Sequence, residues 1–570
     1  MVTDSLPGGV KKPLKARLAL FLLILLLALW LPRGLALDRF VTVGEPKWLE
    51  RSASFYNALA HGDWRGTFQR EHPGVTITWA GVAGFLWRFP GYYKIAPQQE
   101  MTPTRFQAFL ERSGRSSLEL LVAGRTLVVL GIVTALGLSF LIAARLLGAA
   151  TAAFAFLLVA FDPFSIALSR LLHLDGLMSA LMLLSILAFV DYLTRGKSMR
   201  SLVFSGIIAG LAWLTKSPAF FLAPFFGLLV LVHGSASTHR STPAMIATVR
   251  QIWRTFSPLL LWFAIAAAVF VLLWPAMWVD PLGSLGRVFS QATAYASEGH
   301  EHPGFFYGEI YPGGKLPWTF YPLVTLWRLT PVVLAGLVWA LLALFFPRRL
   351  SLSPDRRRLV GVLLGFSLLF AVFMSLGAKK FDRYLLPVFA PLDLVAGLGW
   401  LSLAEALGGL AKNGREAARR WGGGLLLGAI ILMQLFGVLQ TAPYYFNYYN
   451  PLLGGHRRAA EVLLVGWGEG LDQAARYLKA TPHSEKARAI AWYGDGCFSY
   501  FYDGTTVPVG LDMTLSDLRK TDYVVLYRNQ WQRQLPSAEF IAYFAQLTPE
   551  YVVRIDGIEY VRVYNLRDVP

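Results

Sequence analysis

The feature that most limits what this chain can fold into is a series of about eleven long apolar runs. A helix needs about 20 apolar residues to cross the hydrocarbon core of a bilayer. With 55% hydrophobic and only 15% charged residues in 570, a soluble fold would lack the polar surface to cover itself. The sequence therefore predicts an α-helical polytopic membrane protein. The runs lie near 18–37, 119–144, 148–167, 174–193, 201–215, 218–234, 257–275, 329–346, 359–377, 384–404 and 423–440.

Three of these runs leave alternatives open. The fifth and sixth are short and separated only by Lys216-Ser217-Pro218, which is compatible with a tight hairpin or one broken helix. The first run follows a basic segment, 11–17, that resembles the start of a signal peptide. No clear small-x-small cleavage site precedes Asp38, so we expect a retained membrane anchor.

The net charge of +18 is unevenly distributed along the chain. Basic residues cluster in alternate loops, at 195–200, 240–254, 348–358 and 412–420. Basic loops mark the cytoplasmic side of a membrane protein. We therefore expect a cytoplasmic N-terminus and an extracytoplasmic C-terminus, with a lipid bilayer rather than a nucleic acid as the partner of this charge.

Three segments then face outward: 38–117, 276–328 and 441–570. We predict a transmembrane module over 1–440 and a small extracytoplasmic α/β domain over 441–570. A helical stretch is expected over 457–478, followed by strands. The single cysteine, Cys497, excludes an internal disulfide and a cysteine-rich zinc site. The expected strands are Ala489–Trp492, Tyr523–Tyr527, Tyr551–Ile555 and Tyr560–Tyr564.

Glu45 is the first candidate for chemistry, because it follows the first apolar run in a long outward loop. The next residues, Trp48–Ala60, have the pattern of a short amphipathic helix, with apolar side chains such as Trp48 and Phe55 and polar ones such as Arg51 and Asn57. Glu45 would lie at the start of that helix, where the helix dipole favours a carboxylate. It is either a capping acid or a general base directed at the membrane surface.

A second group of polar residues, Arg170, His173 and Asp175, lies at the predicted outer end of the fourth run. They could simply be solvated, and Asp175 could cap the helix. Two acids at one membrane surface, Asp175 and Glu45, favour a functional role in acid–base chemistry.

Positive charges on the predicted outer side form a third group. Lys216 lies between the fifth and sixth runs, and Lys379-Lys380-Phe381-Asp382-Arg383-Tyr384 precedes the tenth. A few exterior lysines are ordinary. Lysines and an arginine at headgroup depth also suit a lipid phosphate, and we favour this anion site.

Two His-Pro-Gly turns, at His72 and at His302 within the segment that ends at Glu309, suggest a metal site. Their spacing is not that of a known metal motif, and turn formation accounts for Pro-Gly well. We predict no cofactor and no metal, with a divalent metal kept as a minor alternative.

Together these motifs resemble the GT-C membrane glycosyltransferases, specifically the bacterial relatives of the protein O-mannosyltransferases (the dolichyl-phosphate-mannose-protein mannosyltransferase family) and of the lipid A aminoarabinose transferase. That family has Asp-Glu in the first outer loop, where this chain has Gly44-Glu45, followed by a His-Pro segment, here His72-Pro73. An acid in the second outer loop corresponds to Asp175. A Lys/Arg-x-Arg-Tyr-x-x-Pro stretch corresponds to 380–387.

The resemblance implies transfer of a hexose or pentose from a polyprenyl-phosphate donor to an acceptor, with inversion, at the outer face of a prokaryotic plasma membrane. The acceptor is a protein, a lipid or a glycan. Gly44 replaces the usual aspartate, so Glu45 is expected to act as the base, with Asp175 or Asp38 as alternatives. The implied substrate-binding residues are His72, Arg170, His173, Lys216, Lys379, Lys380, Arg383, Tyr384, His302 and Glu309.

Two other classes of protein stay open. A transporter or lipid flippase would explain the spans, but it predicts charges near the bilayer midplane and small outer loops. A noncatalytic envelope-assembly protein would explain why the usual aspartate is absent at Gly44.

Overall fold

The structure is a computed structural model, and it describes residues 11–97, 99, 101–237, 245–346, 352–410 and 416–567. Helices dominate the chain up to residue 441. They are α1 (Lys11–Gly34), α2 (Glu45–Ala60), α3 (Val75–Arg88), α4 (Pro103–Arg112), α5 (Ser117–Leu147), α6 (Ala149–Ala160), α7 (Pro163–Ser169), α8 (Leu174–Thr194), α9 (Met199–Thr215), α10 (Leu222–Ser237), α11 (Met245–Leu272), α12 (Ala276–Val279), α13 (Pro281–Ser297), α14 (Phe320–Arg328), α15 (Pro331–Phe345), α16 (Pro354–Ser375), α17 (Leu386–Leu410) and α18 (Glu416–Thr441).

The described residues contain seven helices long and apolar enough to cross a membrane: α1, α5, α8, α11, α16, α17 and α18. Two bent pairs pass the same test, α6 with α7 at 70° and α14 with α15 at 113°. Two shorter apolar segments, α9 and 217–233, complete the pattern of predicted runs. The chain is a multi-span, mostly helical membrane protein, as predicted, and the fifth and sixth runs form two helices joined by a 3-10 turn.

Several helices begin with the same two-residue signal, a short polar residue followed by proline. The polar side chain accepts a hydrogen bond from a backbone N–H of the first turn, and proline fits there because that turn leaves its own N–H groups unpaired. The signal sets the starts of α4, α7, α13, α15 and α16. The pairs are Thr102-Pro103, Asp162-Pro163, Asp280-Pro281, Thr330-Pro331 and Ser353-Pro354.

Helix α8 lies at the centre of the bundle. Of its apolar stretch 94% is buried, and 83% of that of α17, against 17% for α11 and α18 at the periphery. Small residues allow the inner helices to approach closely. A Cβ added at Gly399 of α17 would lie 2.0 Å from the carbonyl oxygen of Gly336 in α15, which is the packing typical of membrane helices.

The loops between the spans carry their own structure on one end of the bundle. Helices α2, α3 and α4 lie within the segment 38–117. The helix predicted at 48–60 is present as α2, although it begins earlier, at Glu45, and α3 and α4 were not predicted. In 276–328 a hairpin pairs β1 (Gly304–Phe306) with β2 (Glu309–Tyr311). Gly74 precedes α3 with φ +60, and its backbone lies so close to the Trp48 ring that a side chain would clash.

The C-terminal part is a five-stranded mixed sheet in the order β4-β3-β5-β7-β6, flanked by short helices. The predicted strands are all present, and Thr505–Pro508 adds one. The predicted helix over 457–478 is wrong as a single element, because three glycines with positive φ, Gly466, Gly468 and Gly470, interrupt it. The elements are α19 (Gly455–Val462), α20 (Leu471–Lys479), β3 (Arg488–Ala491), β4 (Thr505–Pro508), β5 (Tyr523–Tyr527), α21 (Arg528–Gln532), α22 (Ala538–Ala545), β6 (Tyr551–Ile555) and β7 (Ile558–Asn565).

This C-terminal part packs on the loop helices. Ser499 donates to the amide oxygen of Gln107 in α4 at 2.6 Å, and the N–H of Val43 donates to the carbonyl oxygen of Trp467 at 3.3 Å. The loops 43–44 and 466–470 are thereby held against each other. Parts of the predicted cytoplasmic loops, 238–244, 347–351 and 411–415, lie outside the described residues, and the orientation in the membrane stays a prediction.

Candidate functional site

Asp175 is the centre of a buried charged cluster. It lies in the first turn of α8 and is fully buried. Its Oδ1 accepts a hydrogen bond from Lys216 Nζ at 2.7 Å. Its Oδ2 lies 3.2 Å from His173 Nδ1 and 3.5 Å from Arg383 Nε. A buried carboxylate is stable only when it is paired with positive charge, and here that charge comes from two separate parts of the chain.

Tertiary folding brings these residues together from three places. Lys216 follows the last turn of α9, and Arg383 lies in the 3-10 turn before α17. The Lys216 ammonium also lies 4.4 Å from the centroid of the Tyr384 ring, a cation–π contact. The structure thus joins the predicted acid of the second outer loop with the predicted cations of two others.

Lys216 and Tyr384 belong to the lining of a cleft with an empty volume of about 870 Å³, counting its open mouth. The lining combines polar and apolar residues. The polar ones are His72, Lys216, Ser217, Tyr295, Lys379 and Tyr384, and the others are Pro218, Ala292, Ala296, Phe373, Met374, Leu376 and Gly377.

Within the lining of the cleft, His72 and Lys379 both contact the ring of Tyr295. The His72 ring stacks on Tyr295 with centroids 4.7 Å apart, and the Lys379 ammonium lies 3.9 Å from the same Tyr295 centroid. Burial, with Lys216 and Arg70 nearby, lowers the pKa of His72 to about 3. His72 is therefore neutral at pH 7, and the positive charge of the cleft comes from its lysines.

Arg383 is held between aromatic rings. Its guanidinium carbon lies 4.3 Å from the Phe381 ring centroid and 4.4 Å from that of Trp467. Trp467 comes from the C-terminal part of the chain, which therefore contributes to the position of this arginine beside Asp175.

Both carboxylate oxygens of Glu45 are engaged by other residues, which is not expected of a general base. Both of its oxygens are bound by Arg125, with Nε to Oε1 at 2.6 Å and Nη2 to Oε2. Oε2 also accepts from the N–H and the hydroxyl of Thr42, each at 2.9 Å, and Oε1 from the N–H of Leu172 at 2.8 Å. Burial alone would raise the pKa of Glu45, but the Arg125 charge and these hydrogen bonds lower it below its usual value.

This geometry argues against the expected role of Glu45 as the base. A carboxylate offers about four acceptor positions, and Glu45 receives five hydrogen bonds inside the protein. Its contact with Leu172 instead ties α2 and α5 to the segment that carries His173.

Two of the cations predicted to bind substrate, Lys380 and Arg170, donate to backbone carbonyl groups instead. Lys380 donates to the carbonyl oxygen of Leu316 at 2.8 Å. Arg170 donates to the carbonyl oxygens of Leu35 and Ala36, at 2.5 and 2.7 Å, just beyond the end of α1. A cation is favoured at a helix C-terminus because the last carbonyl groups lack partners. Both side chains therefore stabilise the backbone in this structure, and neither lines the cleft.

His302 and Glu309 lie on the hairpin rather than in the cluster. The His302 ring is 6.2 Å from the Trp492 ring, and Glu309 accepts from the hydroxyl of Tyr311 at 3.0 Å. The structure thus does not join His302 with His72. Among the described residues no three His, Cys, Asp or Glu side chains are placed to hold one metal ion, and the expectation of no cofactor stays untested.

Sequence reasoning missed Arg125, Tyr295, His300 and Trp467. Arg125 carried a usable signal, since a charge inside an apolar run is rarely without a function. His300, whose ring centroid is 4.3 Å from that of Phe381, stands in the same outer loop as His302. Tyr295 and Trp467 had no such signal, because aromatic residues are frequent throughout this chain.

Residues 119–274 match the family model described as dolichyl-phosphate-mannose-protein mannosyltransferase. This segment contains Arg125, Arg170, His173, Asp175 and Lys216. The predicted resemblance to membrane glycosyltransferases of this kind is confirmed for that part of the chain. No curated protein has a matching sequence.

Several solved structures are similar in fold. A structure of ArnT from Cupriavidus metallidurans bound to undecaprenyl phosphate shares 14% identity, with a TM-score of 0.49 and coverage of 96% of this chain and 98% of that one. The archaeal oligosaccharyltransferase AglB from Archaeoglobus fulgidus shares 14%, with a TM-score of 0.45 and coverage of 99% and 75%. The Pmt1-Pmt2 protein O-mannosyltransferase of S. cerevisiae shares 16%, with a TM-score of 0.34 and coverage of 50% and 35%. At these low scores the similarities do not bear on the site.

Proposed function

We propose that this protein is a membrane glycosyltransferase that moves a sugar from a polyprenyl-phosphate donor to an acceptor at the predicted outer face. The observation that carries the proposal is the cleft between α13, α16 and Lys216, whose lining combines two lysines with apolar residues. A polyprenyl-phosphate sugar has the matching pattern of a charged head and a long hydrocarbon tail.

The two lysines of the cleft suit a phosphate. Lys216 and Lys379 both line the cleft, and ammonium groups bind phosphate through charge-assisted hydrogen bonds. Because Lys379 makes only a ring contact with Tyr295 among the described residues, its three N–H donors are available to a ligand.

The apolar residues of the cleft suit the isoprenoid tail. Phe373 and Leu376 line the cleft and are 44% and 80% exposed. Phe373 belongs to α16, a helix of membrane-spanning length, and Leu376 directly follows it. A tail leaving the cleft past these residues would enter the hydrocarbon of the bilayer.

The reaction requires an acceptor hydroxyl to attack the anomeric carbon while the lipid phosphate leaves. Positive charges placed where negative charge develops lower the barrier most when the site excludes water. Lys216 meets this condition, because it is buried and is held in place by Asp175. Asp175 in turn fixes the positions of Lys216, Arg383 and His173, which is the role that we assign to it.

Binding and turnover together test the proposal. The full chain in nanodiscs should bind undecaprenyl phosphate, and it should release undecaprenyl phosphate from at least one of a panel of undecaprenyl-phosphate-linked hexoses and pentoses. Asp175→Asn should abolish release, because it removes the charge that holds Lys216 and Arg383. Asp503→Asn, at a residue of the C-terminal part whose side chain accepts a hydrogen bond from Ser484, is the control. A wild-type protein that neither binds nor releases the lipid would contradict the proposal.

A further inference from the structure

The His173 ring lies directly beside Gly44, where a side chain at position 44 would otherwise be. The backbone of Gly44 has φ −85 and ψ −22, a conformation open to every residue, so the glycine is not required by the backbone. A Cβ built on Gly44 would lie 3.2 Å from His173 Cδ2 and 3.4 Å from His173 Nε2. The imidazole edge thus fills the space into which a side chain at position 44 would extend.

The two nitrogens of His173 face different surroundings. Nδ1 is buried and lies 3.2 Å from Asp175 Oδ2. Nε2 has no hydrogen-bond partner in the described part of the chain and is not among its fully buried unpaired atoms. The side chain keeps 10% of its surface exposed, so Nε2 is the nitrogen that a substrate can reach.

The carboxylates of Glu45 and Asp175 already have partners, so the accessible lone pair of the site is that of His173 Nε2. Glu45 is saturated by Arg125, Thr42 and Leu172. Asp175 binds Lys216 at Oδ1 and faces Arg383 and His173 at Oδ2. A general base must reach the proton it removes with a free lone pair, and within this cluster only His173 Nε2 meets that requirement.

We propose that His173 is the catalytic base of the transfer, oriented by Asp175, and that it replaces the carboxylate missing at Gly44. This inference rests on the proposed glycosyltransferase function. Asp175 beside Nδ1 favours the tautomer with its proton on that nitrogen, which leaves the lone pair on Nε2.

The step conserves atoms and charge. The acceptor oxygen forms a bond to the anomeric carbon and gives its proton to His173 Nε2. The bond from that carbon to the phosphate oxygen breaks, and its electron pair leaves with the polyprenyl phosphate, whose new negative charge faces Lys216. Asp175 stabilises the imidazolium that forms. An inverting displacement requires the base and the leaving group to lie on opposite sides of the anomeric carbon.

Two features prepare His173 for this role. Glu45 holds the N–H of Leu172, the preceding residue, at 2.8 Å, so the buried Glu45–Arg125 pair positions the imidazole. Burial lowers the pKa of His173, Asp175 opposes that shift, and Arg383 and Lys216 reinforce it. The imidazole is therefore neutral at pH 7, as a base must be.

Four variants of the full chain in nanodiscs test the inference. The donor is an undecaprenyl-phosphate-linked sugar that the wild type turns over, and the acceptor is water. His173→Gln should lower the rate of undecaprenyl phosphate release about 100-fold or more and leave the affinity for undecaprenyl phosphate unchanged. His61→Gln, at an exposed histidine of the α2 C-terminus, should keep the wild-type rate.

The other two variants are His173→Ala and the double substitution Gly44→Asp/His173→Ala, which places a carboxylate in the space freed by the ring. The double substitution should be at least ~10-fold faster than His173→Ala. Its loss of rate on acidification should also occur at lower pH than in the wild type, because a carboxyl group has a pKa near 4 and an imidazole one near 6.5. If His173 had only a structural role, the double substitution would not shift the pH dependence of the rate.

The outcomes separate the two proposals. If the wild type releases the lipid and His173→Gln does so at the same rate, the base assignment is overturned while the glycosyltransferase function stands. If the residual activity of His173→Ala keeps the wild-type fall at low pH, the assignment is likewise overturned. A wild type that neither binds nor releases undecaprenyl phosphate overturns both.

Discussion

Arg125 of α5 forms a buried, bidentate ion pair with the carboxylate of Glu45, and the same carboxylate accepts a hydrogen bond from the backbone N–H of Leu172 beside the site. The side-chain exposures of the pair are 3% and 0%. Removing one partner of such a pair leaves an unpaired buried charge, which costs about 3 to 5 kcal/mol.

Glu45→Gln is therefore expected to destabilise the protein before it affects any chemical step. The midpoint of thermal unfolding should fall by several degrees. Glu45→Leu combined with Arg125→Met should recover much of that loss, because no buried charge is then left alone. A Glu45→Gln protein with unchanged thermal stability and no transfer would instead restore Glu45 as the candidate base.

The cations of the chain should divide into those that bind donor phosphate and those that hold the fold. Lys216→Ala and Lys379→Ala are each expected to weaken binding of undecaprenyl phosphate about 10- to 100-fold, the range of a hydrogen bond to a charged group. Lys380→Met should leave affinity unchanged, because its ammonium is bound to the carbonyl of Leu316. Equal losses of affinity in all three variants would contradict the position of the phosphate site.

The apolar lining of the cleft should determine how affinity depends on the length of the lipid. Ala292→Trp would fill part of the cleft and is expected to weaken binding of undecaprenyl phosphate more than that of a short-chain geranyl phosphate. Thr293→Trp, one residue further along α13 and exposed, is the matched control. Affinities of both lipids can be compared by ligand-induced shifts in thermal stability, and equal effects on them would show that the tail lies elsewhere.

His72 should make the protein sensitive to acid. Its pKa of about 3 in the folded protein lies below the usual value near 6.5, so between these values the unfolded chain binds more protons and stability falls as the pH falls. From pH 7 to pH 5 the loss for such a shift is at most ~2 kcal/mol, and less here because water reaches the ring through the cleft.

His72→Phe preserves the stacking on Tyr295 and removes the titrating group. Its thermal midpoint should fall less between pH 7 and pH 5 than that of the wild type. A variant that loses stability with acid as steeply as the wild type would assign the effect to other groups.

Much of this architecture was predictable from local pattern. Apolar runs of membrane-spanning length indicated the helices, because the bilayer requires every backbone group to be paired within a segment. Polar residues before prolines set many of the helix starts, as at Asp162-Pro163. The interruption at Gly466, Gly468 and Gly470 was missed, since glycines in a helical pattern do not by themselves reveal their φ angles.

The sequence also determined which residues to consider, Glu45, Asp175, Lys216 and the segment 379–384, since each is polar where apolar residues surround it. Only the tertiary structure decided what each of them does. Whether a charged side chain can act on a substrate depends on whether another residue already pairs with it. For Glu45 that residue is Arg125, which lies 80 residues further along the chain. The tertiary structure likewise turned Lys380 toward a carbonyl and placed His173 against Gly44, because such contacts follow from helix packing and leave no mark in the local pattern.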